Sequence, residues 1–151
     1  MSLKTPQARD EILARFYDDW RSKSGLVWSG GVPRVFWSAK EEAKANGPRS
    51  DEPWARATVA HNISPQRTFG EEGNRRFERL GIVTIQVFTP MSIEQSVTLA
   101  EELGVIARDA FEGRSTPGGV WFRNARLQEV GPDDPWWQLN VTAEFNYDEL
   151  K

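Results

Sequence analysis

His61 is the only histidine in the chain, and it is the natural starting point for any catalytic reading. A nucleophilic triad or a paired metal site needs a second group at motif spacing. His61 ends an alternating run that begins at Trp54, with no acid or nucleophile so placed. The chain has no cysteine, so it offers neither a thiolate metal site nor a disulfide framework. Glu71-Glu72 and Asp133-Asp134 are paired acids in turn-forming stretches. Adjacent side chains there preset no acid–base geometry, and turn solvation accounts for Asp133-Asp134 better. No G-x-S-x-G, phosphate loop or G-x-G-x-x-G occurs. Asn62-Ile63-Ser64 and Asn140-Val141-Thr142 match the glycosylation pattern, which has no weight without a secretory signal. The expectation is a chain without catalytic residues, cofactor or metal, in which His61 is dispensable.

Charge is more informative than chemistry. The net charge of −3 argues against bulk nucleic-acid affinity and leaves local patches open. Arg67, Arg75, Arg76 and Arg79 cluster before the most apolar run. Beyond Glu129 the chain turns acidic, with Asp133, Asp134, Glu144, Asp148 and Glu149 against Lys151 alone. An arginine-bearing loop and an acidic C-terminal strand are suited to meet across a subunit boundary. The plainer reading is two solvated faces. The candidate interface set is therefore Arg67, Arg75, Arg76, Arg79, Asp133, Asp134 and Glu144, together with Trp136. In a strand Trp136 and Trp137 point to opposite sides. If Trp137 joins the core, Trp136 faces solvent or a partner, or else folds over the Pro135 turn. Arg56 and Arg123, also in strands, are either interface ion-pair partners or simply solvent-facing.

These residues need elements to hold them. Pro6 after Thr5 starts a helix over residues 6–23, with Ile12, Phe16 and Trp20 as its stripe. Leu26-Val27-Trp28 reads as extended, and Val35-Phe36-Trp37 as a second short strand or an irregular apolar anchor. Residues 38–53 are polar and turn-forming. Trp54 to His61 alternates as a strand. Asn62 to Glu78 reads as a long loop, longer than folding alone requires. It is expected to order only against a partner, and serine at Arg67, Arg75 and Arg76 is expected to leave the melting temperature unchanged. Ile82 to Phe88 is a β-branched central strand with one apolar face and one mixed face, stopped by Thr89-Pro90. Ser92 and Gln95 stand at capping-box spacing before a helix whose stripe runs from Ile93 through Val97, Ala100, Leu103 and Ala107 to Phe111, with Gly113 at its end. Val120 to Val130 is a strand with a bulge at Asn124-Ala125. After a turn over residues 131–135, Trp137 to Tyr147 is the cleanest alternation in the chain.

The order of elements implies an α+β fold: four to five mostly antiparallel strands with two helices packed on one face. At 151 residues and 17.2 kDa the expectation is one domain with a real core, made without a signal peptide and with no membrane span. The seven tryptophans are expected partly in the core and partly at contacts.

Several strings, taken in order, carry a resemblance. They are Asp51-Glu52-Pro53-Trp54-Ala55-Arg56-Ala57-Thr58-Val59, then Arg79 through Pro90, then Ala107 through Gly113, then Gly119-Val120-Trp121-Phe122-Arg123, and last Trp137 through Phe145. Together they resemble bacteriophage tail terminator proteins, over about Trp54 to Asp148. No single string is diagnostic; their order is. Met91-Ser92 departs from the glycine-rich turn of the pattern. The resemblance implies a subunit of a ring, hexameric in expectation, that caps the tail tube of a long-tailed phage or a related prophage or gene-transfer particle. Its partners would be further copies of itself, the tail tube protein and the head-tail connector. DNA would pass through the lumen without specific binding, and the place of action would be the virion tail. Two alternatives stand beside it. One is a neck protein of the same particle; the other is a small-molecule-binding domain with a pocket lined by Trp121, Trp137 and Phe145.

Overall fold

The computed structural model describes residues 3–37 and 48–151. Helix α1 spans Thr5–Lys23 and buries Ile12, Phe16 and Trp20 along the expected stripe. Pro6 lies in its first turn, and the cap is Lys4 rather than Thr5. The stretch expected to be extended after it, Leu26-Val27-Trp28, is a turn instead. A 3-10 turn, Ser24–Leu26, continues the helix, and the N–H groups of Val27 and Trp28 donate to the Ser24 carbonyl. Those local bonds satisfy the backbone that a strand would have had to pair elsewhere.

Five strands follow: β1 (Arg34–Trp37), β2 (Trp54–His61), β3 (Arg76–Pro90), β4 (Trp121–Asp133) and β5 (Trp136–Leu150). They form one sheet in the order β1-β2-β3-β5-β4, with β1 parallel to β2 and every other pair antiparallel. Val35-Phe36-Trp37 is thus a strand. Of the polar stretch 38–53, residues 38–47 lie outside the described residues. Helix α2, Ser96–Phe111, crosses over between β3 and β4. The result is the expected α+β layer, with a mixed, mostly antiparallel sheet.

Register explains why one face carries the core. Val83, Ile85 and Val87 on β3 stand opposite Ala143, Val141 and Leu139 on β5, and opposite Val59, Ala57 and Ala55 on β2. All are buried beneath α1 and α2, where Phe111 stacks on Phe16 at 6.3 Å between ring centres. Gly104 lets α2 settle onto β5: a Cβ there would stand 2.4 Å from Leu139 Cδ2.

Three boundaries differ from expectation. β3 runs well beyond Ile82–Phe88 at both ends, with Pro90 in its last paired position opposite Trp136. A proline is tolerated there because the ladder is ending. α2 begins at Ser96, so no Ser92–Gln95 capping box forms. Instead the buried Thr89 hydroxyl donates to the Ser96 carbonyl and lies 2.9 Å from the Ser96 hydroxyl, tying strand end to helix start. Val97, expected in the buried stripe, is consequently exposed. At the other end Gly113 adopts φ +68, the left-handed helix stop its position called for. In β4 the bulge falls between Arg123 and Arg126, with Asn124 at φ 52, and a second irregularity lies at Glu129/Gly131.

Candidate assembly surfaces

The stretch expected to be a long loop is mostly a continuation of the sheet. Beyond β2 the chain still runs beside β3: the Asn62 N–H donates to Leu80 O, Leu80 to Ile63 O, Glu78 to Pro65 O and Arg67 to Arg76 O, at 2.8–3.0 Å. Only the tip, around Phe69 to Asn74, lies beyond this pairing. The tip carries Gly70 and Gly73 at positive φ, and it presents Phe69 at 96% exposure. A lone aromatic so exposed at the end of a ribbon has nothing to pack on among the described residues. Sequence reading passed over Phe69, because one apolar residue in a polar run gives no periodic signal.

The arginines and the C-terminal acids do meet, but within one chain. Arg79 donates from Nε and Nη2 to Glu149 Oε1 at 3.1 and 2.9 Å, mostly shielded from water. Arg76 approaches Asp148 at 3.6 Å, and Arg67 reaches Glu78 with two bonds of 3.0 and 2.7 Å. Arg75 donates to the Lys151 carbonyl at 3.2 Å. The expectation that loop and strand meet across a boundary is corrected to this extent. β3 and β5 are neighbours, with Arg76 opposite Leu150 and Arg79 opposite Tyr147, so pairing brings the charges together before any partner arrives. Asp133 and Asp134 are exposed at the far end, where Asp133 pairs with Trp136 opposite Pro90. Along the 15 residues of β3 the two ends are roughly 50 Å apart at about 3.4 Å per residue. Glu144 lies between them and accepts from the Asn124 side-chain amide.

Among the described residues no layer covers the sheet face away from the helices. Its rows run Arg56–Gln86–Asn140–Gln128 and Thr58–Thr84–Thr142–Arg126, with Ile82, Glu144 and Arg123 in the next. The β3 and β5 members are half-buried. At one end an aromatic cluster closes the face. The Trp54 ring stacks on Phe88 at 4.1 Å and meets Phe36 and Trp136 edge-on at 5.3 and 5.5 Å. Trp136 takes the side that alternation gave it, and it stays half-exposed there. It does leave the helix side, yet it packs on Trp54 and Phe88 of its own chain. Arg56 lies over the Trp54 ring at 5.2 Å and is half-buried, so it is not simply solvent-facing.

His61 belongs to the scaffold. Its Nε2 lies 2.8 Å from the Tyr147 hydroxyl, which donates to Thr5 Oγ1 at 3.2 Å. This chain links the start of α1 to β2 and β5. Burial, then the charges of Arg9 and Arg79, push the imidazole below its usual range, and burial pushes the Tyr147 phenol up. The pocket posited for a small ligand does not form. Trp121 stands at the start of β4, 65% exposed, Phe145 is fully buried, and Trp137 lies at the other end of β5. Trp137 instead borders a shallow cavity of about 360 Å³ with Met91 and Ile93. Among the described residues no group of three or more His, Asp and Glu could hold a metal, and no helix is long and apolar enough to cross a membrane.

No family model matches this chain, and no curated protein matches it. Solved structures do. One, known only by a sequence identifier, is 15% identical with a TM-score of 0.60, covering 91% of this chain and 94% of its own. That likeness is one of fold. A second, from the virion of a native gene transfer agent particle, is 14% identical with a TM-score of 0.49, covering 93% of this chain and 96% of its own. A score that low carries no argument about what the present chain does.

Proposed function

We propose that this chain is a structural subunit of a phage-like particle, and specifically a ring-forming tail terminator. The observation that carries the reading is the pairing of an uncovered sheet face with a projecting ribbon that ends in the exposed Phe69. A fold whose described helices lie on one side leaves a broad surface suited to a neighbour, and an exposed aromatic tip suits insertion into one. The strings that resemble tail terminators coincide with β2, β3, the end of α2, β4 and β5, which together build that face and its backing. On this reading the subunit has no catalytic role. Its partners are further copies, the tail tube and the head connector, and it acts in the virion tail.

The test has two arms. Light scattering and negative-stain imaging of the purified chain at raised concentration should show rings. Particles assembled without the chain should carry tails of uncontrolled length or tails that fail to join heads. A chain that never leaves the monomeric state and never binds tail tube overturns the reading.

A further inference from the structure

Among the described residues, the first turn of α1 meets the sheet through few groups. Leu3 and Ala8 are its buried apolar side chains, and the Leu3 N–H donates to the Asp148 carbonyl at 3.4 Å. The Tyr147 hydroxyl on β5 donates to Thr5 Oγ1 at 3.2 Å and lies 2.8 Å from His61 Nε2 on β2. The His61 ring is half-buried, edge-on to Phe145 and Tyr147 at 5.2 and 5.8 Å. Farther along the helix the attachment is heavier. The Glu11 carboxylate accepts from the Gly118 N–H at 2.6 Å, and Ile12, Phe16 and Trp20 are fully buried. Residues 3–9 thus form a short strap that ends where the helix enters the core.

The surroundings of His61 lean positive. Arg9 acts on it from α1 and Arg79 from β3, and with burial they hold the imidazole below its usual range. From β5 come Tyr147 and Glu149, and Glu149 already accepts two bonds from Arg79. Directly opposite on β3 stands Gly81, which brings no charge. A neutral imidazole can accept from the Tyr147 hydroxyl or donate to it, whereas an imidazolium can only donate. The imidazolium also adds a third cation beside Arg9 and Arg79 where water is scarce. We propose that the His61–Tyr147–Thr5 chain is an acid-operated latch: when His61 takes up a proton, residues 3–9 leave the sheet while the rest of the fold stays closed. Opening moves Arg9 away from the ring and admits water to it, which removes both penalties. In the open state His61 returns to its ordinary value. The latch is therefore closed above about pH 6.5 and opens progressively as pH falls below it. It belongs to the single chain, so it operates whether or not the chain forms rings.

Hydrogen–deuterium exchange of the dilute full chain, read by mass spectrometry peptide by peptide, tests this. After correction for the intrinsic exchange rate, protection over residues 3–9 should fall by up to about tenfold per pH unit below about pH 6.5. Peptides from the centres of β3 and β5 should keep theirs. His61→Gln retains a donor and an acceptor beside the Tyr147 hydroxyl and takes no charge, so its protection over residues 3–9 should stay flat across the same range. Arg9→Gln removes one of the two cations and should shrink the total fall. A parent with constant protection over residues 3–9, or a His61→Gln chain that loses protection as the parent does, overturns the inference. A fall shared equally by residues 3–9 and the central strands makes the opening global and also overturns it. If His61→Gln fails to fold, Arg9→Gln decides alone: a fall as large as the parent's overturns the latch.

Discussion

Replacing Arg67, Arg75 and Arg76 together by serine separates the scaffold role of the arginine cluster from a partner role. In the free chain the substitution removes a two-bond ion pair to Glu78, a bond to the Lys151 carbonyl and a 3.6 Å approach to Asp148. The arginine side chains of the two ion pairs are 45–48% exposed, so screening discounts them. Exposed pairs contribute about 0.2–1 kcal/mol each, and the Arg75 hydrogen bond about 0.5 kcal/mol. A sum of about 1–2 kcal/mol follows, against a backbone ladder from Ile63 to Arg67 that the substitution leaves intact. For a chain of this length that is a fall of roughly 2–6 °C in melting temperature. The unchanged melting temperature expected from sequence alone is thereby revised. Scanning calorimetry at low and high salt is the assay, since salt should shrink the difference between variant and parent. A loss that persists undiminished in high salt would mean that the arginines hold the ribbon by something other than exposed charge. No loss at low salt would mean that the ion pairs contribute nothing. Either result refutes the reasoning.

Other perturbations probe other parts of the fold. His61 takes up its proton at lower pH in the folded chain than near 6.5, its ordinary value, chiefly because it is buried. Its contribution to stability is therefore fully present above pH 6.5 and declines as pH falls through 6.5 toward the folded value. Urea midpoints measured across that window should fall for the parent and stay flatter for His61→Asn; parallel curves would remove His61 from the account. Gly81→Ala places a Cβ 2.2 Å from the Ala60 carbonyl oxygen and 2.5 Å from Phe145 Cζ. A backbone oxygen cannot rotate away, so chemical denaturation should show a loss of about 1–3 kcal/mol, and a neutral result would contradict the register. Phe69→Ser should leave the melting temperature unchanged while weakening ring formation in light scattering; a destabilised monomer would show that Phe69 packs on its own chain.

What was legible in the sequence depended on whether a side chain's partner was local. β5 could be read from alternation because it has helices on one side only, so Leu139, Val141, Ala143 and Phe145 alternate cleanly with polar residues. The first five residues of β3 could not. Arg76 to Leu80 lie at the rim, none of them buried in the core, and they are a strand only because β5 and the chain before Thr68 pair with them. That is a fact of register, invisible to periodicity. The start of α2 failed for a related reason, as the Thr89–Ser96 bonds outcompete a plausible capping box. Charge matching between the arginines and the C-terminal acids was visible in composition. Its location inside one chain was not, because sequence gives sign and not address. For Trp136, alternation gave the direction, while its neighbour Trp54 came from a strand far away in sequence.

The same asymmetry decides which residues are free to answer to a partner. The large fully buried side chains, Trp20, Phe16, Phe111, Phe145 and Tyr147 among them, lie on the helix side, and burying such residues is what stabilises the fold. On the open face the aromatic cluster occupies one end and fixes Arg56 over Trp54. Between that cluster and the ribbon, Thr84, Gln86, Asn140 and Gln128 have no covering layer among the described residues. A substitution there that keeps β-propensity costs the monomer little, because it disturbs no helix–sheet packing. Its charge and shape can therefore follow the requirements of assembly almost independently of folding. If the face serves as a subunit contact, variants along those rows should separate cleanly: nearly unchanged in denaturation, and graded in association according to the charge they add or remove.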